Sequence, residues 1–279
     1  MKILVTGCNG FIGREFVSYF KNSDHKIYQT NRNNLNILNE KEVDNFFLNN
    51  EIDIVVHTAI RGGRRNHKES YKDFLCNMTM YNNLSKNTNN FKIMFHFGSG
   101  AEFDRRKDID NAKEMEIYDS FPADFYGLSK NLISKKIRKH NDNIVNLRLF
   151  GCFGLLENPS RMIRNSMNRA LNNKSIVIHQ NRKMDFFYIK DLFKVIEFYI
   201  NNIGSGLPND VNMVYNEKKD LYQLANMITL LTKNKIDVII ENERSGNSYT
   251  GDGEILSNLN LDFVGLEKGI KEVYNKCLS

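Results

Sequence analysis

Short apolar runs alternate with amphipathic stretches through the first half of the chain. Lys2–Thr6, Lys26–Thr30, Ile54–Thr58, Lys92–Gly98 and Ile144–Phe150 are compact and apolar, and they read as strands. Between them, Arg14–Phe20, Glu40–Leu48 and Tyr71–Lys86 carry apolar positions at helical spacing. Strand and helix alternating in this way predict a doubly wound parallel sheet, the α/β (Rossmann) class. Beyond Gly154 the alternation weakens. A loop and helix across Leu156–Lys174, a short strand at Ile176–Ile178, a helix over Asp191–Ile200 and a mixed tail (helix Leu221–Leu231, strand Ile236–Ile240, helix Leu266–Cys277) predict a smaller interleaved lobe with a cleft beside it. The expected division is about 1–154, with a return segment at about 186–206, against 155–185 and 207–279.

Composition narrows the class. With 41% hydrophobic and 26% charged residues in 279, the chain is that of an ordinary globular protein, not a disordered one. No apolar run approaches the roughly 18 residues that span a bilayer. The four cysteines (Cys8, Cys76, Cys152, Cys277) have no CxxC spacing, and MKILVTG leads straight into a strand without a secretory leader. Both features predict reduced thiols and a cytoplasmic setting. The net charge of +6 comes from scattered lysines and arginines with no dense basic stripe. It suits a basic cleft for a phosphorylated small molecule better than nucleic acid. The histidines lack metal-ligand spacing, so no metal is expected. His96, within a strand, reads as a packed core residue, as do Phe46, Phe47, Phe186, Phe187 and Tyr188, with the cleft as an alternative place for Tyr188.

Thr6-Gly7-Cys8-Asn9-Gly10-Phe11-Ile12-Gly13 lies between the first strand and the first helix, where a dinucleotide-binding loop must be. Glycines there let the backbone approach a pyrophosphate, which the helix N-terminus then holds with unpaired N–H groups. Gly7, Asn9, Gly10, Phe11, Ile12 and Gly13 are the expected contacts. The second strand ends Gln29-Thr30-Asn31-Arg32, with no acid for a ribose diol. Arg32 suits a 2′-phosphate, so NADP (NADPH) is expected over NAD.

Tyr126 and Lys130 are four apart on one helical face, and Ser99 follows the fourth apolar strand. An ammonium beside a phenol stabilises the phenolate, which makes tyrosine a usable acid–base group. With the glycine loop, these residues resemble the extended short-chain dehydrogenase/reductase family of nucleotide-sugar epimerases, dehydratases and reductases. Within it, Thr30–Asn39 and Asp73–Met78 are similar to the GDP-fucose synthase-like 4-keto-sugar reductases. The resemblance implies Ser99, Tyr126 and Lys130 as the catalytic set. It also implies Thr58, Ala59, Asn77, Tyr126 and Lys130 beside the cofactor, and Ser99, Gly100, Arg161, Arg169 and Arg182 beside a nucleotide-diphosphate keto sugar. Leu147–Phe150 and Asp185–Asp191 match two further landmarks.

The departures bear on the reaction. Dehydratases carry an Asp-Glu pair where this chain has Gly100 and Ala101. The epimerising Cys and His of fucose synthase align with Ala101 and Arg161, neither of which readily exchanges a carbon-bound proton. Gly151 replaces an asparagine, and Met184 an arginine, with Arg182 and Lys183 shifted along. The implied activity is reduction of a 4-keto group without epimerisation. A 4-epimerase and a non-catalytic nucleotide-sensing relative are the alternatives. The resemblance also implies a homodimer through the helices containing Tyr71–Lys86 and Tyr126–Lys136.

Overall fold

The computed structural model describes residues 1–63, 67–140 and 143–278. In chain order its strands and longer helices are β1 (Lys2–Thr6), α1 (Phe11–Phe20), β2 (Lys26–Thr30), α2 (Glu40–Asn49), β3 (Ile54–His57), α3 (Tyr71–Ser85), β4 (Ile93–Ser99), β5 (Ile109–Ala112), α4 (Phe125–His140), β6 (Ile144–Leu149), β7 (Cys152–Phe153), α5 (Met162–Leu171), β8 (Ile176–Gln180), β9 (Phe187–Tyr188), α6 (Ile189–Asn201), β10 (Asp210–Met213), α7 (Leu221–Thr229), β11 (Val238–Asn242), β12 (Tyr249–Gly251), α8 (Glu254–Ser257) and α9 (Leu266–Leu278). Six strands form one sheet in the order β10-β6-β4-β3-β1-β2, as the doubly wound expectation requires. β1 pairs in parallel with β2 on one side and β3 on the other, Ile3↔Ile54 through Thr6↔His57. The chain therefore reverses its direction of winding at β1, and the carboxyl ends of β1 and β3 open there as a ligand crevice.

Two compact units are present: Met1–Asp104, Lys113–Arg148 and Val195–Val211 form the first, and Arg105–Ala112, Leu149–Lys194 and Asn212–Ser279 the second. The first unit is layered. Leu4, Val55 and Met94 of the sheet pack against Val43 and Phe47 of α2, Met80, Tyr81 and Leu84 of α3, and Ile133 and Ile137 of α4. Burial on both faces explains why β1, β3 and β4 are continuously apolar instead of alternating. Local signals set the ends of the helices: Asn39 caps α2, and Ser70 with Asp73 forms a capping box on α3.

The second unit holds three parallel two-stranded pairs, β11·β8, β12·β5 and β7·β9. Asp191 anchors it, accepting hydrogen bonds from Val264 N (2.8 Å), Gly265 N (2.9 Å) and Tyr215 Oη (2.5 Å). Tyr188 is interior, as its main sequence reading expects: its ring stacks on Phe153 at 5.2 Å and its hydroxyl donates to Glu272.

β10 is the element that pattern reading misses, since Asp210–Met213 falls in the segment expected to belong to the small lobe. Its first residue explains its place. Arg148 on β6 has no exposed side-chain surface, and its Nε donates to Glu102 Oε2 at 2.6 Å while Nη2 donates to Ser134 Oγ (2.8 Å) and Asp210 Oδ2 (2.9 Å). Asn146 and Arg138 also donate to Asp210. Removing one member of such a set leaves the others charged and uncompensated in a dry interior. Arg148→Met should therefore destabilise the protein by about 3–5 kcal/mol in urea unfolding. A loss below about 1 kcal/mol would show that the carboxylates are not matched by this guanidinium.

Candidate active site

The loop from β1 to α1 lies tightly against the end of β3. Gly7 has φ +71°, and a Cβ there would sit 2.7 Å from Ala59 Cα. A Cβ on Gly13 would sit 2.6 Å from Gly7 O, so the first turn of α1 can approach the loop only as glycine. Thr58 Oγ1 reaches Thr6 O at 2.7 Å and Gly7 O at 3.1 Å, which fixes Thr58 and Ala59 beside the loop. Gly10 N donates to Gly7 O, and as N-cap of α1 Gly10 brings no side chain over the first-turn amides of Phe11, Ile12 and Gly13. Asn9 and Gly10 are exposed. This is the cradle that a pyrophosphate requires. After β2, Asn31 N, Asn33 N and the Asn34 side chain form side-chain–backbone bonds that shape the turn and leave Arg32 exposed.

Ser99 ends β4. Its Oγ accepts from Ala101 N (3.2 Å) and its own N donates to Glu102 Oε1 (2.8 Å), so the short turn Gly100–Glu102 is capped reciprocally. Glu102 is thus held at one oxygen by Ser99 and at the other by Arg148. Tyr126 and Lys130 lie one turn apart on α4, Tyr126 half-buried and Lys130 buried. Lys130 Nζ donates to Phe97 O at 2.5 Å, two residues before Ser99, and lies 3.4 Å from His96 Nε2. Burial lowers Lys130 to about 8 against the opposing pull of Glu102.

His96 packs in the core as its sequence position implies, and it also touches the lysine, which sequence pattern does not reveal. Its ring is 5.6 Å from that of His57, whose Nδ1 pairs with Thr6 Oγ1 at 2.8 Å. Asn77, read as a cofactor contact, is buried with its amide engaged by the Arg61 backbone (2.9 and 3.0 Å) and Ser129 Oγ (3.0 Å). It sets the course of the loop after β3.

Residues 3–216 match the NAD dependent epimerase/dehydratase family. The chain belongs to this family. It is 26% identical over 266 residues to a dTDP-D-glucose 4,6-dehydratase of Dictyostelium discoideum, covering 81% of this chain and spanning 60% of the dehydratase's length. It is 23% identical over 235 residues to GDP-L-colitose synthase of Yersinia pseudotuberculosis, 76% of each chain. Among solved structures, GDP-mannoheptose C4 reductase from Campylobacter jejuni with NADP bound superposes with a TM-score of 0.84 at 20% identity, over 100% of this chain and 98% of that one, a likeness of fold. No helix among the described residues is long and apolar enough to cross a membrane.

The arginines that the family resemblance assigns to substrate lie in the second unit. Arg161 is the N-cap of α5, with Nε 3.5 Å from Glu157, a carboxyl that burial raises to about 8. Arg169 is in the last turn of α5, where its Nε donates to Ser175 O at 2.5 Å. That bond gives Arg169 a part in closing the end of the helix, which its sequence position does not show. Arg182 is exposed, and Leu221 N donates to its carbonyl. Where the family carries an arginine before Asp185, this member pairs Asp185 with Lys218 at 2.9 Å. Asparagine at 151 is excluded by space, since a Cβ there would sit 2.6 Å from Asp185 O.

The buried histidines yield a pH prediction. Burial, reinforced by the Lys130 charge, lowers His57 from 6.5 to about 3, and His96 falls well below 6.5 for the same reasons. Between those values the unfolded chain binds protons that the folded chain refuses. Stability is therefore full above pH 6.5 and is lost as pH falls toward 3. His57→Gln should flatten urea-derived stability between pH 6 and 4 by about 1.4 kcal/mol per pH unit. An unchanged slope would mean that His57 is charged in the folded protein.

Proposed function

We propose that this chain reduces the 4-keto group of a nucleotide-diphosphate sugar with NADPH, leaving the neighbouring carbons uninverted. The observation that carries the reading is Lys130: it is buried on α4, one helical turn from Tyr126, and it is bonded to Phe97 O near the carboxyl end of β4, the strand that ends in Ser99. The names of the relatives, among them a C4 reductase with NADP bound, agree with it. The glycine cradle fits a dinucleotide, and NADPH supplies the hydride when bound. Ser99 Oγ, with one lone pair used by Ala101 N, turns its O–H toward the sugar carbonyl oxygen. Tyr126 donates the proton that completes the alcohol, and the Lys130 ammonium stabilises the phenolate left behind. Dehydration lacks its acid–base pair: Gly100 and Ala101 cannot titrate, and Glu102 is bound at both oxygens.

The test is a panel of GDP-, dTDP-, CDP- and UDP-4-keto sugars scored by NADPH oxidation. Tyr126→Phe should lower turnover on the active member by a hundredfold or more while NADPH binding stays intact, roughly the scale of a lost general acid. Unaltered turnover removes Tyr126 from the chemistry, and a nicotinamide cofactor that never exchanges would mark a 4-epimerase instead.

Cofactor choice rests on Arg32, exposed where β2 ends. Arg32→Ala should weaken NADPH by about 1.5–3 kcal/mol and barely alter NADH. Equal losses for both would make Arg32 a support of the loop only.

The same reading includes a homodimer. Tyr71 and Leu75 on α3 and Phe125 and Leu132 on α4 are large apolar side chains left exposed, at 58%, 44%, 39% and 37%. Light scattering should give twice the 32.5 kDa of one chain, and a mass of one chain refutes the pairing.

A further inference from the structure

The loop after β3 touches the tyrosine twice. Gly62 and Gly63 both have left-handed backbones, with φ +82° and +68°. Their backbone lies flat on the Tyr126 side chain: a Cβ at Gly63 would sit 2.8 Å from Tyr126 Cζ and 2.9 Å from Cε2, and one at Gly62 would sit 3.4 Å from Tyr126 Cβ. Only glycine allows both the turn and this closeness. The second contact is electrostatic. One carboxylate, Glu69, accepts from Gly63 N at Oε1 (3.3 Å) and from Tyr126 N at Oε2 (3.1 Å). It therefore ties the glycine turn to the first turn of α4, where a negative charge is favoured.

The anchor is itself fixed. Glu69 directly precedes Ser70, whose N and Oγ both donate to Asp73 in the capping box of α3. Asp73 also takes Arg61 Nε at 3.0 Å, while Asn77 holds the Arg61 backbone. The beginning and the end of the loop are thus both fastened to α3, and Glu69 carries that fixity across to α4.

We propose that Glu69, acting with the Gly62–Gly63 turn, is a positioning residue that sets the ring of Tyr126 for proton transfer. This rests on Tyr126 being the proton donor. A proton donor misplaced by about an ångström loses much of its rate without losing substrate affinity. The inference therefore predicts an effect on kcat, not on KM.

Two readouts test it. In protein carrying [13Cζ]tyrosine, the Tyr126 resonance is the one that vanishes in Tyr126→Phe. Glu69→Ala should move that resonance beyond its linewidth, and Gly63→Ala, which pushes a methyl against Cζ, should move it too. Glu69→Ala should also lower kcat roughly tenfold to a hundredfold, with KM and NADPH affinity within about threefold. Glu69→Gln keeps one acceptor oxygen but turns an NH2 toward the other N–H, so it should recover only part of the loss. An unmoved Tyr126 resonance in Glu69→Ala overturns the proposal, and so does a kcat within twofold of the parent. The tyrosine mechanism fails separately, through full turnover in Tyr126→Phe, while the resonance still reports on the clamp.

Discussion

A guanidinium with no access to water must be matched group by group, and Arg148 is matched from three directions by Glu102, Asp210 and Ser134. Those partners belong to the turn after β4, to the outermost strand of the sheet and to α4. One charge therefore determines where three elements meet. Glu102 passes the constraint on, since its second oxygen holds the backbone of Ser99. The position of the serine hydroxyl thus follows from an ion pair on the far side of its own turn.

A second polar stratum runs beneath the same corner. Thr6, His57, His96 and Lys130 connect the ends of β1, β3 and β4 to α4 in a region otherwise filled by apolar side chains. Burial keeps the imidazoles neutral there, and the buried Lys130 cation beside them adds to the effect. Both strata are specific because they are dry, and each polar atom in them has few alternative partners.

What could be read from the sequence was what is local. The strand–glycine–helix junction, the Tyr126–Lys130 spacing and the apolar strands each fit within a window of about a dozen residues, where periodicity and turn chemistry operate. The sixth strand was not legible because Asp210–Met213 is short, and its reason for joining the sheet lies in Arg148. Glu69 was invisible for the same reason, being an unremarkable loop acid until α4 brings Tyr126 N to it. Arg169 shows a related limit: its bond from Nε to Ser175 O beyond the end of its own helix depends on how the chain turns there, and sequence carries no signal for that bond.

The pairing of Arg148 with Asp210 also orders events during synthesis. β6 enters the sheet with a positive charge that only Glu102 can answer until residue 210 has been made, roughly three-quarters of the way along the chain. Up to that moment the nascent sheet has an open edge at β6 and an incompletely answered guanidinium behind it. Emergence of Asp210 from the ribosome supplies both the missing carboxylate and the covering strand in a single addition. The first unit, which includes Val195–Val211, therefore cannot complete its sheet or fully answer its buried guanidinium in any nascent chain that stops short of Asp210.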